Sequence, residues 1–142
     1  INLALSFIGA KAPEALLKAA DSDVAEVRVA AISALGDQIQ KGDNLRAQNR
    51  VFQALEDVSA DVRAEAVTLI GKSCDAEDVE TLLLKKLSDE DTQVRKNTAL
   101  SLMKLDAIGS IQHLKIAEQK EDDPDVKAVI RVAINILSAK II

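Results

Sequence analysis

Tryptophan and tyrosine are absent from this 142-residue chain, and phenylalanine occurs only at Phe7 and Phe52. Two isolated phenylalanines do not make a series of platforms on which nucleic-acid bases stack, and no helix pairs a basic face with bulky aromatics at a membrane surface. A single cysteine, Cys74, excludes an internal disulfide and permits a reducing compartment, so the reading is cytoplasmic. One thiol and one histidine, His113, do not make the ligand cluster that structural or catalytic metals need. Neither a Gly-rich phosphate cradle nor a nucleophile elbow occurs. No apolar run approaches the ~20 residues that cross a bilayer. Five glycines and two prolines leave little turn chemistry.

What is present is the composition of packed helices. Hydrophobic residues make up 48% of the chain and are rich in Ala and Leu, which favour helix over strand. The net charge of −5 disfavours a phosphate-backbone ligand. At this length the chain is one domain's worth of residues.

A repeat organises it. Asp61-Val62-Arg63 is followed by Ala66, Ile70 and Gly71, and Glu26-Val27-Arg28 by Ala31, Leu35 and Gly36. Gln93-Val94-Arg95 leads to Thr98 and Leu102, and Asp125-Val126-Lys127 to Ile130 and Ile134. Arg28, Arg63, Arg95 and Lys127 stand 35, 32 and 32 residues apart, the spacing of a repeated helix pair. In each second helix the Val and the positions three and seven after the basic residue share one face. Small residues at Ala31 and Ala66 let helices approach, and Leu35, Ile70, Leu102 and Ile134 fill the space between layers. An acid at Glu26, Asp61 or Asp125 suits the first helical turn, but an Arg there opposes the helix dipole and needs a partner. The turns holding Asp21, Asp23, Asp57, Asp89 and Asp122 are the expected suppliers.

The spacing predicts an all-α solenoid of about nine helices. Residues 1–10 read as the second helix of an incomplete repeat, followed by helix-pair repeats at 11–42, 43–73, 74–105 and 106–140. Asp23, Ser59, Asp75, Asp91 and Asp123 are the expected N-caps, with Pro13 and Pro124 in the first turns of their helices. Gly36 is placed near a helix end, with an added half-turn and loop at 37–43. Leu16, Leu17, Ala20, Val51, Phe52, Leu55, Val79, Leu83, Leu84, Leu87, Ile108, Ile111 and Leu114 are expected to face inward. Ile1 and Ile141-Ile142 stand where a solenoid wants polar caps, so the chain reads as a piece of a longer array.

The run of an Asp followed shortly by Val-Arg-x-x-Ala-x-x-x-Leu-Gly resembles the HEAT repeats, and among them the phycobilisome-lyase-like subgroup. Residues 23–36 and 57–71 carry it, 89–102 in part, and 122–134 loosely with Lys127 for Arg. The resemblance implies a right-handed α-α superhelix of antiparallel helix pairs, with Arg28, Arg63 and Arg95 in a ladder of Asp and Arg along the turns. Lys127 departs from that ladder.

A packing signature says little about function. The principal reading is a non-catalytic scaffold for protein–protein interaction, with no enzyme activity and no cofactor. The positions one and five after each basic residue, with Lys104, give the protein-binding strip Val29, Ser33, Ala64, Thr68, Lys96, Leu100, Lys104, Ala128 and Val132. The bland alternative packs these residues against neighbouring helices. By resemblance, the runner-up is a bilin lyase or chaperone-type subunit acting on antenna proteins. A nucleic-acid solenoid comes third, since Lys72, Lys96 and Lys104 are too few to follow a backbone. Membrane and metal are not expected partners: the acidic stretch Glu118 to Asp125 lacks calcium-loop spacing. Cys74 beside Asp75 reads as an incidental loop thiol, and His113 as a surface residue.

Overall fold

The computed structural model describes residues 13–40 and 45–141. The expected helix at 1–10 and most of the loop expected before residue 44 lie outside the described residues. The chain divides into two compact units, residues 1–73 and 74–142. Eight α-helices and no strand occur among the described residues.

In the first unit, α1 is Pro13–Ala19, α2 Ala25–Gln40, α3 Leu45–Gln53 and α4 Ala60–Ser73, with a 3-10 turn Ala54–Glu56 extending α3. Helix α2 packs on α1 and α3 and most extensively on α4. The predicted seam is what is buried: Ala31, Leu35, Val62, Ala66 and Ile70 all have 0% of their surface exposed. Each large aliphatic side chain so buried contributes roughly 1.5–3 kcal/mol against an exposed reference. Helix α2 does not stop near Gly36 but runs on to Gln40. The glycine is a packing residue rather than a terminator, because a Cβ placed on it would stand 2.5 Å from Leu69 Cδ2 of α4. Phe52 is only half-buried, while Ala47, Val51, Ala54 and Leu55 form the buried side of that element.

In the second unit, α5 is Ala76–Leu84, α6 Thr92–Lys104, α7 Ile111–Lys120 and α8 Pro124–Ala139, with 3-10 turns Lys85–Ser88 and Ile108–Ser110. Helix α8 packs on α6 and α7, and α5 on α6. Helices α6 and α8 run side by side in one direction. Lys96 near the start of α6 shares a small cleft with Asp125 and Val126. Past the other ends, Lys140 Nζ lies 3.2 Å from Asp106 Oδ1.

Local chemistry explains where these helices begin and end. The Asp91 carboxylate accepts from the Val94 N–H at 3.1 Å, and Asp123 from the Asp125 and Val126 N–H groups at 2.9 and 3.1 Å, so orphan donors of α6 and α8 are satisfied. Asp75 holds the cap position of α5, but its side chain makes no cap bond. Helix α6 closes with Asp106 at φ 53°, the Ala107 N–H bonded to the Leu102 carbonyl and the Asp106 N–H to that of Met103. This is a Schellman ending built on Asp instead of Gly. Thr98, fully buried in the seam, satisfies its hydroxyl by donating to the Val94 carbonyl at 2.7 Å. Leu17 and Leu84 are half-buried and Ile108 is 43% exposed, so none of the three faces fully inward as predicted. No described helix is long and apolar enough to cross a membrane.

Candidate functional site

The turn ladder has one geometry used three times. Arg28, Arg63 and Arg95 each donate from Nη1 to the carbonyl six residues upstream, at Ser22, Asp57 and Asp89, all at 2.9 Å. The rest of the Arg28 guanidinium forks onto Asp57, with Nε and Nη2 each 3.0 Å from a carboxylate oxygen. Arg95 forks onto Glu121 at 2.8 and 2.9 Å. Such two-point pairs are the strong, directional form of the interaction. The acids also turn their own chain: Asp57, Asp89 and Glu121 accept from the N–H two residues on, at 2.8, 2.9 and 3.1 Å. An Arg unfavourable by the dipole argument is thereby compensated by two carbonyl or carboxylate systems at once.

The carboxylates respond as expected. The Arg95 fork, opposed by burial, holds Glu121 below the usual carboxylate range. Burial works to raise Asp57, but hydrogen bonds from Arg28 and the Ser59 N–H outweigh it and leave that group lowered as well. Of the expected suppliers, Asp57 serves the ladder, whereas Asp21 turns to Arg50 at 3.3 Å. The partner of Arg95 is Glu121, not the neighbouring Asp122, which is exposed. A signal for this existed: Asp57, Asp89 and Glu121 recur at the repeat's own 32-residue interval. Lys127 is exposed and forks onto no carboxylate.

The strip residues divide by exposure. Ala64 is buried; Val29, Ser33, Thr68, Lys96 and Leu100 are half-buried; Lys104, Ala128 and Val132 are exposed, Val132 at 49%. Val29 lines an open cleft of about 310 Å³ with Ala25, Glu26 and Asp61. Lys96 lies beside Asp123 and Asp125. In the second unit, Leu100 on α6 is half-buried, while Ala128, Val132 and Ile136 at successive turns of α8 are exposed, Ile136 at 40%.

Among the described residues no three His, Cys, Asp or Glu side chains converge to hold a metal ion. Burial, then the charges of Asp75 and Asp78, push the half-buried Cys74 thiol up, away from a reactive thiolate. His113 is exposed. Sequence reasoning passed over Glu65 on α4, whose half-buried carboxyl is raised by burial against the pull of Lys72. Its position two after Arg63 carries no recurring residue type, so no pattern marks it.

A profile of HEAT repeats matches residues 49–135. The chain belongs to the HEAT-repeat family. Over 135 residues this HEAT-repeat chain is 47% identical to the bilin biosynthesis protein MpeU of Synechococcus sp. (strain WH8020), covering 95% of the chain and 46% of that protein. It therefore spans about half the length of the curated relative it matches. The crystal structure of an engineered protein is similar at TM-score 0.63 and 20% identity, across 98% of this chain and 68% of the other, and supports the helical repeat fold alone.

The similarity to a biosynthesis protein overturns the expectation that the chain has no enzymatic role. Catalysis by carboxylates or by a shaped cleft needs no rare residue type, so a shortage of metal ligands, activated thiols and phosphate loops does not exclude it.

Proposed function

We propose that this HEAT-repeat chain is the scaffold of a bilin-processing protein, lyase-type, in which helix pairs hold an antenna protein while a tetrapyrrole is attached or altered. The observation that carries the reading is the 47% identity to a bilin biosynthesis protein across nearly the whole chain. The lyase-like repeat run at 23–36 and 57–71 agrees with it. On this reading the repeats 11–42 and 43–73 of the first unit, and 74–105 and 106–140 of the second, each carry candidate contact residues on their second helix. The strip's most available part is the pair α6 and α8, where Leu100, Ala128 and Val132 offer apolar surface beside Lys96 and Lys104.

The purified chain mixed with phycocyanobilin should give a red-shifted, sharpened absorption band, and a flat spectrum would remove the bilin reading. Leu100→Asp and Val132→Asp should abolish retention of a purified apo-antenna subunit while leaving the helical circular dichroism intact. Undiminished retention would remove the strip.

A further inference from the structure

One cleft occurs in both units, with a different residue at a decisive wall. In the first unit it lies between the first turns of α2 and α4, with Ala25, Glu26, Val29 and Asp61 on its walls and a volume of about 310 Å³. In the second it lies between the first turns of α6 and α8, with Thr92, Gln93, Lys96 and Asp125 in the matching places and a volume of about 100 Å³. Ala25 and Thr92 stand three before the arginine of their repeat, Glu26 and Gln93 two before it, and Val29 and Lys96 one after it. Asp61 and Asp125 stand two before the basic residue of the following repeat. Asp123 also borders the second cleft, but its carboxylate caps α8. There the chain supplies its own cation on a long stem, Lys96, opposite Asp125. In the first unit Val29 takes that place, the cleft stands wider, and Glu26 replaces the neutral Gln93.

Glu26 and Asp61 are exposed and, among the described residues, neither accepts a hydrogen bond or forms an ion pair. Arg28, raised chiefly by its hydrogen bond to Asp57 and to a smaller extent by the charge of Glu26, is committed to the Asp57 fork. The starts of α2 and α4 supply about half a positive charge each, so two full carboxylates leave the cleft with about one negative charge.

We infer that this cleft takes one lysine or arginine side chain of a partner protein, its methylene stem along Ala25 and Val29 and its charged head between Glu26 and Asp61. The inference rests on the reading of the strip, Val29 included, as a protein contact, and gives that contact its chemistry in the first unit. Such an occupant brings from outside the group that Lys96 brings from within. A long side chain that is apolar along its stem and charged at its tip suits a cleft with an apolar wall and an acidic rim.

The test follows the amide shifts of Val29 and Asp61 in proton–nitrogen correlation spectra of the intact chain. The probes are acetylated pentapeptides, Gly-Ala-X-Ala-Gly, with X lysine, norleucine or glutamate, at fixed ionic strength. The lysine peptide should bind about fivefold more tightly than the norleucine peptide, the scale of exposed ion pairs, and the glutamate peptide should not bind. Glu26→Gln combined with Asp61→Asn should bring lysine and norleucine level, and Val29→Lys should close the cleft to both while the circular dichroism holds. Lys96→Val should open the second cleft, so that the Thr92 and Asp125 amides also shift with the lysine peptide. Equal binding of the lysine and norleucine peptides by the unaltered chain, or silent Thr92 and Asp125 amides in Lys96→Val, would overturn the assignment. So would displacement of the lysine peptide by calcium chloride but not by sodium chloride of the same ionic strength, which would give the cleft to a divalent cation. A concentration-dependent dimer abolished by Val29→Lys would give it to a second copy and overturn the assignment equally. A flat bilin spectrum with this selectivity intact would sink only the proposed function, and retention of an apo-antenna subunit without the selectivity would sink only the inference.

Discussion

Helices α2 and α8 share the repeat register and differ on one face. Both bury the positions three and seven after the basic residue, Ala31 and Leu35 in α2, Ile130 and Ile134 in α8. Four and eight residues after it, α2 has Ile32 and Gly36, both buried, and Gly36 lies against Leu69 of α4. Helix α8 has Arg131 and Asn135 there, both exposed, and Arg131 reaches back to Glu118 of α7 at 2.5 Å. The seam is therefore the invariant requirement of the pair. The second face is adjustable, apolar and glycine-notched where a helix stacks on it, polar where none does.

The largest test of this comparison concerns the turns at the bases of these helices. Glu121→Ala leaves the Arg95 fork and the Asp123 N–H without their carboxylate and should cost about 3 kcal/mol in urea unfolding. Lys127→Ala, one rung later and exposed, should stay within about 0.5 kcal/mol. Because Glu121 and Asp57 are both lowered in the fold, the stability they add is present above the ordinary carboxylate range. It is lost as pH falls through their lowered values. Glu121→Ala should accordingly flatten the acid limb, seen as a smaller difference between urea midpoints at pH 7 and pH 3.

Next in size is the stacking face itself. Gly36→Leu must displace the buried Leu69 and should cost about 2 kcal/mol, whereas Asn135→Leu should change stability by no more than about 0.5 kcal/mol. Equal effects of the two substitutions would show that α8 is packed as α2 is. The smallest expected effect runs the other way. Glu65 is raised, so its fold favours the neutral acid: that contribution is present at low pH and lost as pH rises through its raised value. Glu65→Gln should raise the melting temperature by a few degrees at pH 7 and leave it nearly unchanged at pH 4.

The seam was legible because burial repeats with the helical period: Ala66, Thr98 and Ile130 follow their basic residues by three and are all fully buried. The ladder was half legible. Its arginines stand in a fixed motif, but its acids sit in turns crowded with carboxylates, where Glu121 and Asp122 differ only in which one the chain direction presents. The role of Gly36 was misread because glycine at a helix end and glycine at a close helix crossing look alike until Leu69 is placed. Exposure along the strip was not legible at all: whether Ala64 or Val132 meets solvent depends on neighbours far away in the chain. The similarity to a bilin biosynthesis protein was not legible for a related reason, since a packing signature is silent about function.

Asp57 takes the guanidinium of Arg28 from the preceding repeat, holds the Ser59 amide of its own turn, and lends its carbonyl to Arg63. Fraying at that hairpin therefore loosens the anchors of α2 and α4 together. Amide protons along both helices of the first unit should exchange with solvent as a single cooperative block, instead of peeling away layer by layer.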